Sequence, residues 1–200
     1  ELPTQEEVDA FLPPPSVNWH AALDPSRPMA IDPLTGGAGG PGPSLFVRYR
    51  KGQCAGMQNA LAAIEAAHED WARVVGRRHA PLVESYRMDD ADVALVTLGS
   101  MTGAAKDAVD EARDRGQRVG LVKVKTYRPF PVLAIAAALN GLKAVGVVDR
   151  SVSFGWNSGP LFQDVIGALQ FSAKRPAAMS FIGGLAGADI TTDHFGRTIE

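Results

Sequence analysis

The stretch DVALVTLGSMTGAAKDAVDEARDRGQRVGLVKV, residues 92–124, decides the fold. Residues 92–99 form a short apolar run that closes on a glycine, which is typical of a buried strand. Residues 100–116 place small apolar side chains on one face and stop at a glycine, which predicts a helix. The run that starts at residue 118 is again apolar and predicts a strand to residue 127. A strand, a helix and a strand in this order need a crossover connection, and therefore a parallel sheet.

The same alternation continues to the end of the chain. Residues 131–141 and 159–172 predict two more helices, and residues 143–150 and 177–185 predict two more strands. The strands are nearly continuous in apolar residues, which indicates a sheet covered on both faces. The predicted fold class is therefore α/β, with a mostly parallel sheet and helices on both faces.

Residues 1–45 differ in composition from the rest of the chain. They hold nine of the 14 prolines and the cluster GGAGGPGP at 36–43. Proline removes backbone donors and glycine raises the entropy cost of order, so this region is predicted to be an extended linker without a continuous helix. Phe11, Leu12 and Trp19 are its expected anchors on a partner surface, and the segment 36–43 is expected to be disordered.

Residues 46–86 are predicted to form a long connecting helix and a turn, and residues 87–200 the α/β domain. Apolar side chains follow spacings of three and four along residues 57–75, and Gly76 is the expected stop. His68 lies on or beside this stripe, where a lone histidine is more often a packing residue than a ligand.

Composition excludes several classes of function. The net charge of −2 gives no bulk field for nucleic acid or anionic membranes, so neither is an expected partner. Cys54 is the single cysteine, which excludes an internal disulfide and any four-cysteine metal cluster, and it fits a reducing cytoplasm. The four histidines show no metal-ligand spacing. The chain opens on Glu1 rather than methionine, which suggests a piece of a longer protein or a processed chain.

In an open α/β sheet, ligands bind at the carboxyl ends of the strands. Four loops reach that edge in the predicted fold: residues 97–103, 125–131, 149–160 and 183–191.

In the first of these loops, Gly99, Ser100 and Thr102 precede a helix. Backbone donors at a helix N-terminus can bind an anion, whereas Ser100 or Thr102 can equally cap the helix. The spacing is not that of a dinucleotide fingerprint, so capping is the favoured interpretation.

The second loop holds Arg128 between a strand and two prolines, in the sequence RPFP. A rigidly held arginine suits a carboxylate, a phosphate or an interface. A salt bridge to a nearby acid is an equally good interpretation.

The third loop, SVSFGWNSGP after Asp149 and Arg150, sets two aromatic residues among small polar ones. Such a pair is typical of an interface more than of a phosphate cradle. We interpret the loop as a packed turn that also contacts another domain or subunit. Its candidate interface or ligand residues are Asp149, Arg150, Ser153, Phe154, Gly155 and Trp156. No serine, histidine and aspartate are linked by a spacing that indicates a catalytic set, so no catalytic or metal-binding residue is predicted.

Taken in order, several of these features resemble one family. They are the long helix that ends at Gly76-Arg77, DDADVALVTLGS at 89–100, RPFP at 128–131 and DRSVSFG at 149–155. The chain resembles the α subunit of pyruvate:ferredoxin oxidoreductase and other 2-oxoacid:ferredoxin oxidoreductases, from EEVDAFLPPP near the start to FIGGLAGADIT near the end.

The resemblance implies the end of a thiamine-type first domain followed by a second domain like the transketolase C-terminal domain. The complete enzyme of the family cleaves a 2-oxoacid with thiamine diphosphate and Mg²⁺ and forms acyl-coenzyme A. It passes electrons through iron–sulfur clusters to ferredoxin. The motifs for those cofactors lie elsewhere in the family's enzymes, so this chain alone is expected to bind none of them and to be inactive. Its expected partners are the other domains or subunits, in an oligomer.

The sequence departs from the family at GGAGGPGP (36–43) and GWNSGP (155–160), so the resemblance does not choose among 2-oxoacids. Two alternatives stay open. One is a free-standing doubly wound module that binds a nucleotide or coenzyme A through loops 97–103 and 149–160. The other is a pure oligomerisation domain.

Overall fold

The computed structural model describes residues 2–12 and 45–200, which divide into two compact units, Glu1–His79 and Ala80–Glu200. The second unit begins seven residues before the predicted boundary at 87, because residues 83–86 form a strand of the sheet. The predicted disorder at 36–43 and the predicted anchor Trp19 lie outside the described residues.

The first unit contains two helices, α1 (Gln5–Phe11) and α2 (Leu45–Val75). The prediction that no helix forms in residues 1–45 was wrong for α1. Thr4 accepts a hydrogen bond from the amide of Glu7, and the Glu7 carboxylate accepts one from the amide of Thr4. This reciprocal capping box fixes the first turn, and it lies ahead of the proline run that limited the prediction.

The long helix α2 agrees with the predicted helix of residues 46–76. It ends where Gly76 takes a φ of +71°, a left-handed conformation that glycine adopts without strain. Phe11 packs its ring edge-on against Trp71 at 5.2 Å between centroids, so Phe11 anchors α1 on α2. The imidazole Nδ1 of His68 lies 2.9 Å from the carbonyl of Ile64, which fits a packing role on this helix.

The second unit is a five-stranded sheet with four α-helices. Its elements in chain order are β1 (Val83–Tyr86), β2 (Val93–Leu98), α3 (Thr102–Asp114), β3 (Val119–Val124), α4 (Val132–Leu139), β4 (Ala144–Asp149), α5 (Pro160–Leu169), β5 (Ala177–Ile182) and α6 (Thr192–Ile199). The strand order is β1-β3-β2-β4-β5, and only β1 runs antiparallel to its neighbour. The predicted α/β class with a mostly parallel sheet is confirmed.

Two apolar cores cover the two faces of the sheet. On one face, α4 and α5 bury Ile135, Leu139 and Val165 against the strands. On the other face, α3 and α6 do the same with Val109 and Phe195. Burial on both faces explains why β2 and β3 read as continuous apolar runs.

Two elements of this unit were not predicted. Strand β1 has four residues, too few to show an alternation, and it lies at the antiparallel edge of the sheet. Helix α6 contains Gly196 and β-branched threonines, which are weak helix formers, and it is held by the buried ring of Phe195. A capping box between Thr191 and His194 closes its first turn, so a local signal and the buried ring together hold this helix.

Candidate functional site at the carboxyl edge of the sheet

The strand order creates a switch point between β2 and β4. From β2 the chain moves to β3 on one side, and it then returns to β4 on the other side, so the two connections leave a gap at the carboxyl ends of β2 and β4. Open α/β sheets bind ligands in this place.

A crevice of about 200 Å³ lies at this switch point. We call it the switch-point crevice, and its lining residues are Leu98, Met101, Tyr127, Val148, Asp149, Arg150, Ser151, Pro160 and Leu161. Its walls are mainly apolar, with an acid, an arginine, a serine and a tyrosine among them.

Asp149, at the end of β4, caps helix α5. Its side chain is 5% exposed, and its two oxygens accept hydrogen bonds from the amides of Leu161 at 3.0 Å and Phe162 at 3.1 Å. Burial raises the pKa of the Asp149 carboxyl, and the two backbone hydrogen bonds oppose that rise. The carboxylate thus occupies the N-terminus of α5, where an anionic ligand would otherwise bind.

Gly159 makes this cap possible. A Cβ atom at residue 159 would lie 2.0 Å from the carboxyl carbon of Asp149. The next residue, Pro160, takes the first position of α5, where its missing N–H costs nothing. Glycine at residue 159 is therefore required by the close packing of the loop on Asp149, and Pro160 favours the start of the helix.

The loop after β2 does not cap α3 as predicted. The N-cap position is Met101, which provides no side-chain hydrogen bond, so the prediction of a Ser100 or Thr102 cap was wrong. Thr102 is buried, and its hydroxyl donates to the carbonyl of Gly99 at 2.8 Å and contacts the hydroxyl of Thr97 at 3.0 Å. These bonds turn the hydroxyl back towards β2, and Ser100 stays exposed.

Arg128 is engaged in a salt bridge. Its guanidinium donates to the Asp164 carboxylate at 2.9 Å and to the Tyr127 carbonyl at 2.7 Å, and it stacks 4.1 Å from the centroid of the Tyr127 ring. Burial, followed by the hydrogen bond with Asp164, raises the pKa of the Tyr127 phenol. The salt-bridge interpretation of Arg128 is the one that the structure supports.

Arg150 joins the loops that follow β4 and β5. Its guanidinium donates to the carbonyl of Ala188 at 3.2 Å and to that of Gly184 at 3.4 Å. These long, exposed bonds tie the 183–191 loop to the end of β4. Next to that loop lies a second cavity of about 410 Å³, where the Nδ1 of His194 accepts a hydrogen bond from the amide of Thr191.

The loop between β4 and α5 narrows to a tight turn. The amide of Ser153 donates to the carbonyl of Ser158 at 2.8 Å, and the amide of Trp156 donates to the carbonyl of Ser153 at 3.1 Å. Gly155 takes a φ of +85°, which glycine adopts without strain. This turn holds out Phe154, which is 93% exposed, and Trp156, which is 74% exposed. We call these two side chains the aromatic tip.

The candidate residues therefore gather at one edge of the sheet but fall into two groups. Asp149, Thr102, Arg128 and Arg150 are bound to other groups of the same unit. The aromatic tip makes no ring contact within the part of the chain that the structure describes. The sequence did not reveal that Asp164 pairs with Arg128 or that Gly159 packs on Asp149. The Gly-Pro pair before a helix could have pointed to Gly159, whereas no local pattern marks Asp164.

Comparison with known proteins identifies the family. The family described as pyruvate:ferredoxin oxidoreductase core domain II matches residues 91–195. The chain belongs to this family. Every residue that lines the switch-point crevice lies within the matched segment.

Relatives extend the likeness beyond domain II. The chain is 61% identical over 200 residues, its full length, to the NADH-dependent phenylglyoxylate dehydrogenase subunit alpha of Aromatoleum evansii. It is 35% identical over 196 residues, or 98% of its length, to the pyruvate synthase subunit PorA of Methanosarcina barkeri. It covers 48% of the first protein and 47% of the second, so the chain spans about half the length of these relatives.

A solved structure is also similar. It is the 2-oxoglutarate:ferredoxin oxidoreductase from Magnetococcus marinus with 2-oxoglutarate, coenzyme A and succinyl-CoA bound, at 19% identity and a TM-score of 0.45. The match covers 72% of this chain and 24% of that one, and a likeness of this size carries no argument about the site. Among the helices of residues 2–12 and 45–200, none is long and apolar enough to cross a membrane.

Proposed function

We propose that this chain is part of the α subunit of a 2-oxoacid oxidoreductase. The complete enzyme would decarboxylate a 2-oxoacid oxidatively with thiamine diphosphate and Mg²⁺, form the acyl-coenzyme A, and release electrons through iron–sulfur clusters to ferredoxin or another acceptor. The observation that carries the proposal is the 61% identity, over the whole chain, to the phenylglyoxylate dehydrogenase subunit alpha. The single cysteine of the chain, Cys54, suits a cytoplasmic enzyme, because a reducing compartment does not select for disulfide pairs.

We further propose an aryl 2-oxoacid as the substrate. The identity of 61% to the phenylglyoxylate enzyme far exceeds the 35% to a pyruvate synthase subunit over nearly the same residues. An aryl 2-oxoacid such as phenylglyoxylate would give CO₂ and the aryl acyl-coenzyme A, with two electrons passed to the acceptor. The name of that relative also favours a nicotinamide acceptor in place of ferredoxin.

We propose the domain arrangement that the sequence indicated. Residues 1–45 would be the linker from a thiamine-type domain, residues 46–79 the connecting helix and turn, and residues 80–200 domain II, a boundary that the position of β1 in the sheet supports. The family match at 91–195 supports the last assignment.

The switch-point crevice does not fit the cofactors of the complete enzyme. A crevice of about 200 Å³ is smaller than the roughly 300–1,000 Å³ of small-molecule sites. Asp149 already occupies the N-terminus of α5, so a diphosphate would meet a buried carboxylate there. Among the described residues, no three histidine, cysteine, aspartate or glutamate side chains group to hold a metal ion. The crevice volume and the Asp149 cap also disfavour the binding of a nucleotide or coenzyme A between loops 97–103 and 149–160.

The role that this chain's residues support is docking. The polar candidates Asp149, Thr102, Arg128 and Arg150 stabilise their own unit, and the aromatic tip remains available to a partner. Exposed aromatic residues in a rigid turn are good interface anchors because they lose little conformational entropy on binding.

The test is to assay the complete enzyme with phenylglyoxylate and with pyruvate in the presence of coenzyme A. Acyl-coenzyme A would be detected by mass spectrometry, and NAD⁺ and ferredoxin would be compared as acceptors. We expect benzoyl-coenzyme A at a kcat/KM at least about tenfold above that for acetyl-coenzyme A. Preference for pyruvate would overturn the aryl proposal, and no 2-oxoacid-dependent acyl transfer would overturn the function itself.

The docking role has a separate test by titration calorimetry of the 200-residue chain. Thiamine diphosphate with Mg²⁺, coenzyme A and ATP should give no heat of binding. A one-to-one isotherm with any of them would favour the nucleotide-binding alternative.

A further inference from the structure

Strand β5 is an open edge of the sheet. It is the last strand in the order β1-β3-β2-β4-β5, and it pairs only with β4. The register with β4 is unbroken from Ala177 to Ile182, without a bulge. An edge strand of this kind offers a row of backbone donors and acceptors on its free side, where another strand can pair.

The hydrogen bonds to β4 determine which backbone groups lie on the free side. The amide of Ala177 donates to the carbonyl of Lys143 at 3.0 Å, and the amide of Gly183 donates to the carbonyl of Asp149 at 3.0 Å. Backbone groups along a strand point alternately to its two sides, so the odd-numbered residues of β5 bond to β4. The even-numbered residues face away from β4, and their backbone groups make no backbone hydrogen bond within the part of the chain that the structure describes. These residues are Ala178, Ser180 and Ile182.

The opposite edge of the sheet is protected, whereas β5 is not. Strand β1 has four residues, and its Glu84 forms a salt bridge with Lys106. Short length and charge are features with which proteins prevent unwanted pairing at an edge. Strand β5 has six residues, AAMSFI, without a charge or a proline, and Met179 within it is 61% exposed. Its edge is therefore suited to receive a further strand.

Two cavities lie beside β5 on the face of the sheet that carries α6. One, of about 390 Å³, is lined by Met179 and Phe181 together with the last residues of α6. The other is the cavity of about 410 Å³ next to the 183–191 loop, and Phe181 lines it as well. Every second side chain of a strand points to the same face, so a strand added along β5 would place side chains in both cavities. Backbone pairing and side-chain burial thus favour the same occupant.

We propose that a strand from the half of the α subunit outside these 200 residues pairs with the free side of β5 and extends the sheet to six strands. Its backbone binds the even-numbered residues of β5, and its apolar side chains fill the two cavities. The proposal rests on the proposed function, because that function makes this chain one part of an α subunit.

The source of the strand is argued from the length of the relatives and from the chemistry of the edge. The chain covers 48% and 47% of two related subunits, so about half of such a subunit is available to cover β5. A segment of the same polypeptide meets the edge at an effective concentration on the order of millimolar, whereas a separate subunit has to be recruited from solution. An uncharged edge that stayed open until a partner arrived would expose the newly folded subunit to aggregation. Coverage from within the subunit removes that hazard.

Hydrogen–deuterium exchange of the complete enzyme, resolved to single residues by mass spectrometry, tests the pairing. The odd-numbered amides of β5 donate to β4 and are the internal reference. We expect the even-numbered amides to exchange at least about 100-fold more slowly than an unbonded amide, because each donates to the added strand. Exchange of the even-numbered amides at the unbonded rate, beside a protected reference, would overturn the proposal.

Photo-crosslinking identifies the source of the strand. Met179→p-benzoylphenylalanine places a photoreactive group at the cavity of about 390 Å³, on the path of the added strand. Irradiation of the complete enzyme should join this position to a segment of the same α subunit outside these 200 residues, identified by peptide mass spectrometry. Leu133→p-benzoylphenylalanine is the matched control. Leu133 is 72% exposed, but it belongs to α4 on the opposite face of the sheet, so it should give no cross-link to that segment.

The site of the cross-link decides between the possible occupants. A cross-link from position 179 to another subunit, to a second copy of this chain or to its residues 1–44 would overturn the proposal, and so would the absence of any cross-link. Neither experiment depends on turnover, because both report on the folded enzyme. An enzyme with a covered edge but without 2-oxoacid-dependent acyl transfer would contradict the proposed function alone.

Discussion

The base and the tip of the β4–α5 connection differ in almost every physical respect, although they are only a few residues apart. At the base, Asp149 is 5% exposed and Gly159 packs on its carboxyl group. At the tip, Phe154 is 93% exposed. The base buries a charged group and holds it with hydrogen bonds, whereas the tip exposes apolar rings. The base is therefore built for stability and the tip for contact, and this division can be tested one residue at a time.

The largest expected effect is at Gly159. Gly159→Ala should lower the free energy of unfolding by about 3 kcal/mol, because the new Cβ would lie 2.0 Å from the Asp149 carboxyl carbon and displace the cap. Urea denaturation followed by circular dichroism measures the change. Gly167→Ala, inside helix α5, is the control. It meets no atom within 4 Å and should stabilise by roughly 1 kcal/mol. Equal changes in the free energy of unfolding for the two variants would contradict the special role of Gly159 in packing on Asp149.

A smaller loss of stability is expected when Asp149 itself is replaced. Asp149→Asn keeps the size of the side chain but leaves one oxygen to serve two amides, those of Leu161 and Phe162. We expect a loss of about 1–2 kcal/mol at pH 7 by the same denaturation assay. A change within experimental error would mean that the cap does not stabilise the base.

The pH dependence of that loss sharpens the comparison. Burial raises the pKa of Asp149 in the folded state, so its stabilising contribution is complete below the ordinary pKa of an aspartate and declines as the pH rises through the folded pKa. The gap between wild type and Asp149→Asn should therefore narrow as the pH rises. The pKa of Asp92 is lowered, chiefly by the hydrogen bond from Arg118, so its stabilising contribution grows as the pH rises. This contribution is the same in wild type and in Asp149→Asn, and it therefore leaves the difference between them unchanged. Parallel stability curves from roughly pH 4 to pH 8 would contradict the prediction.

The smallest effect on stability is expected at the tip. Phe154→Ala and Trp156→Ala should each change the free energy of unfolding by less than about 0.5 kcal/mol, since neither ring is packed on its own unit. A loss above about 1 kcal/mol would show that the tip belongs to the core.

Periodicity predicted the repeating part of the fold but not its edges. Strands β2–β5 and helices α3–α5 fall within the predicted segments, because each buries a long apolar run or stripe. Strand β1 and helix α6 were missed because one is short and the other is a weak helix held by Phe195. Helix α1 was the avoidable miss, since Thr4 and Glu7 spell a capping box in the sequence.

The candidate residues were found more easily than their roles. Strand ends and turn residues located Asp149, Arg128 and Thr102, because the carboxyl edge follows from strand direction. Their partners come from other elements: Asp164 for Arg128 and the amides of α5 for Asp149. Such pairings depend on distances between segments that no local pattern contains.

The sequence by itself determined the α/β class, the edge of the sheet where the loops gather and the family, because these depend on periodicity, strand order along the chain and similarity to relatives. Only the tertiary structure decided which side chains at that edge are engaged and which are exposed. Asp149 ends strand β4, and Arg128 and Arg150 lie in loops. Whether each of these polar side chains faces solvent or a partner depends on the atoms that other strands and helices bring within hydrogen-bond distance.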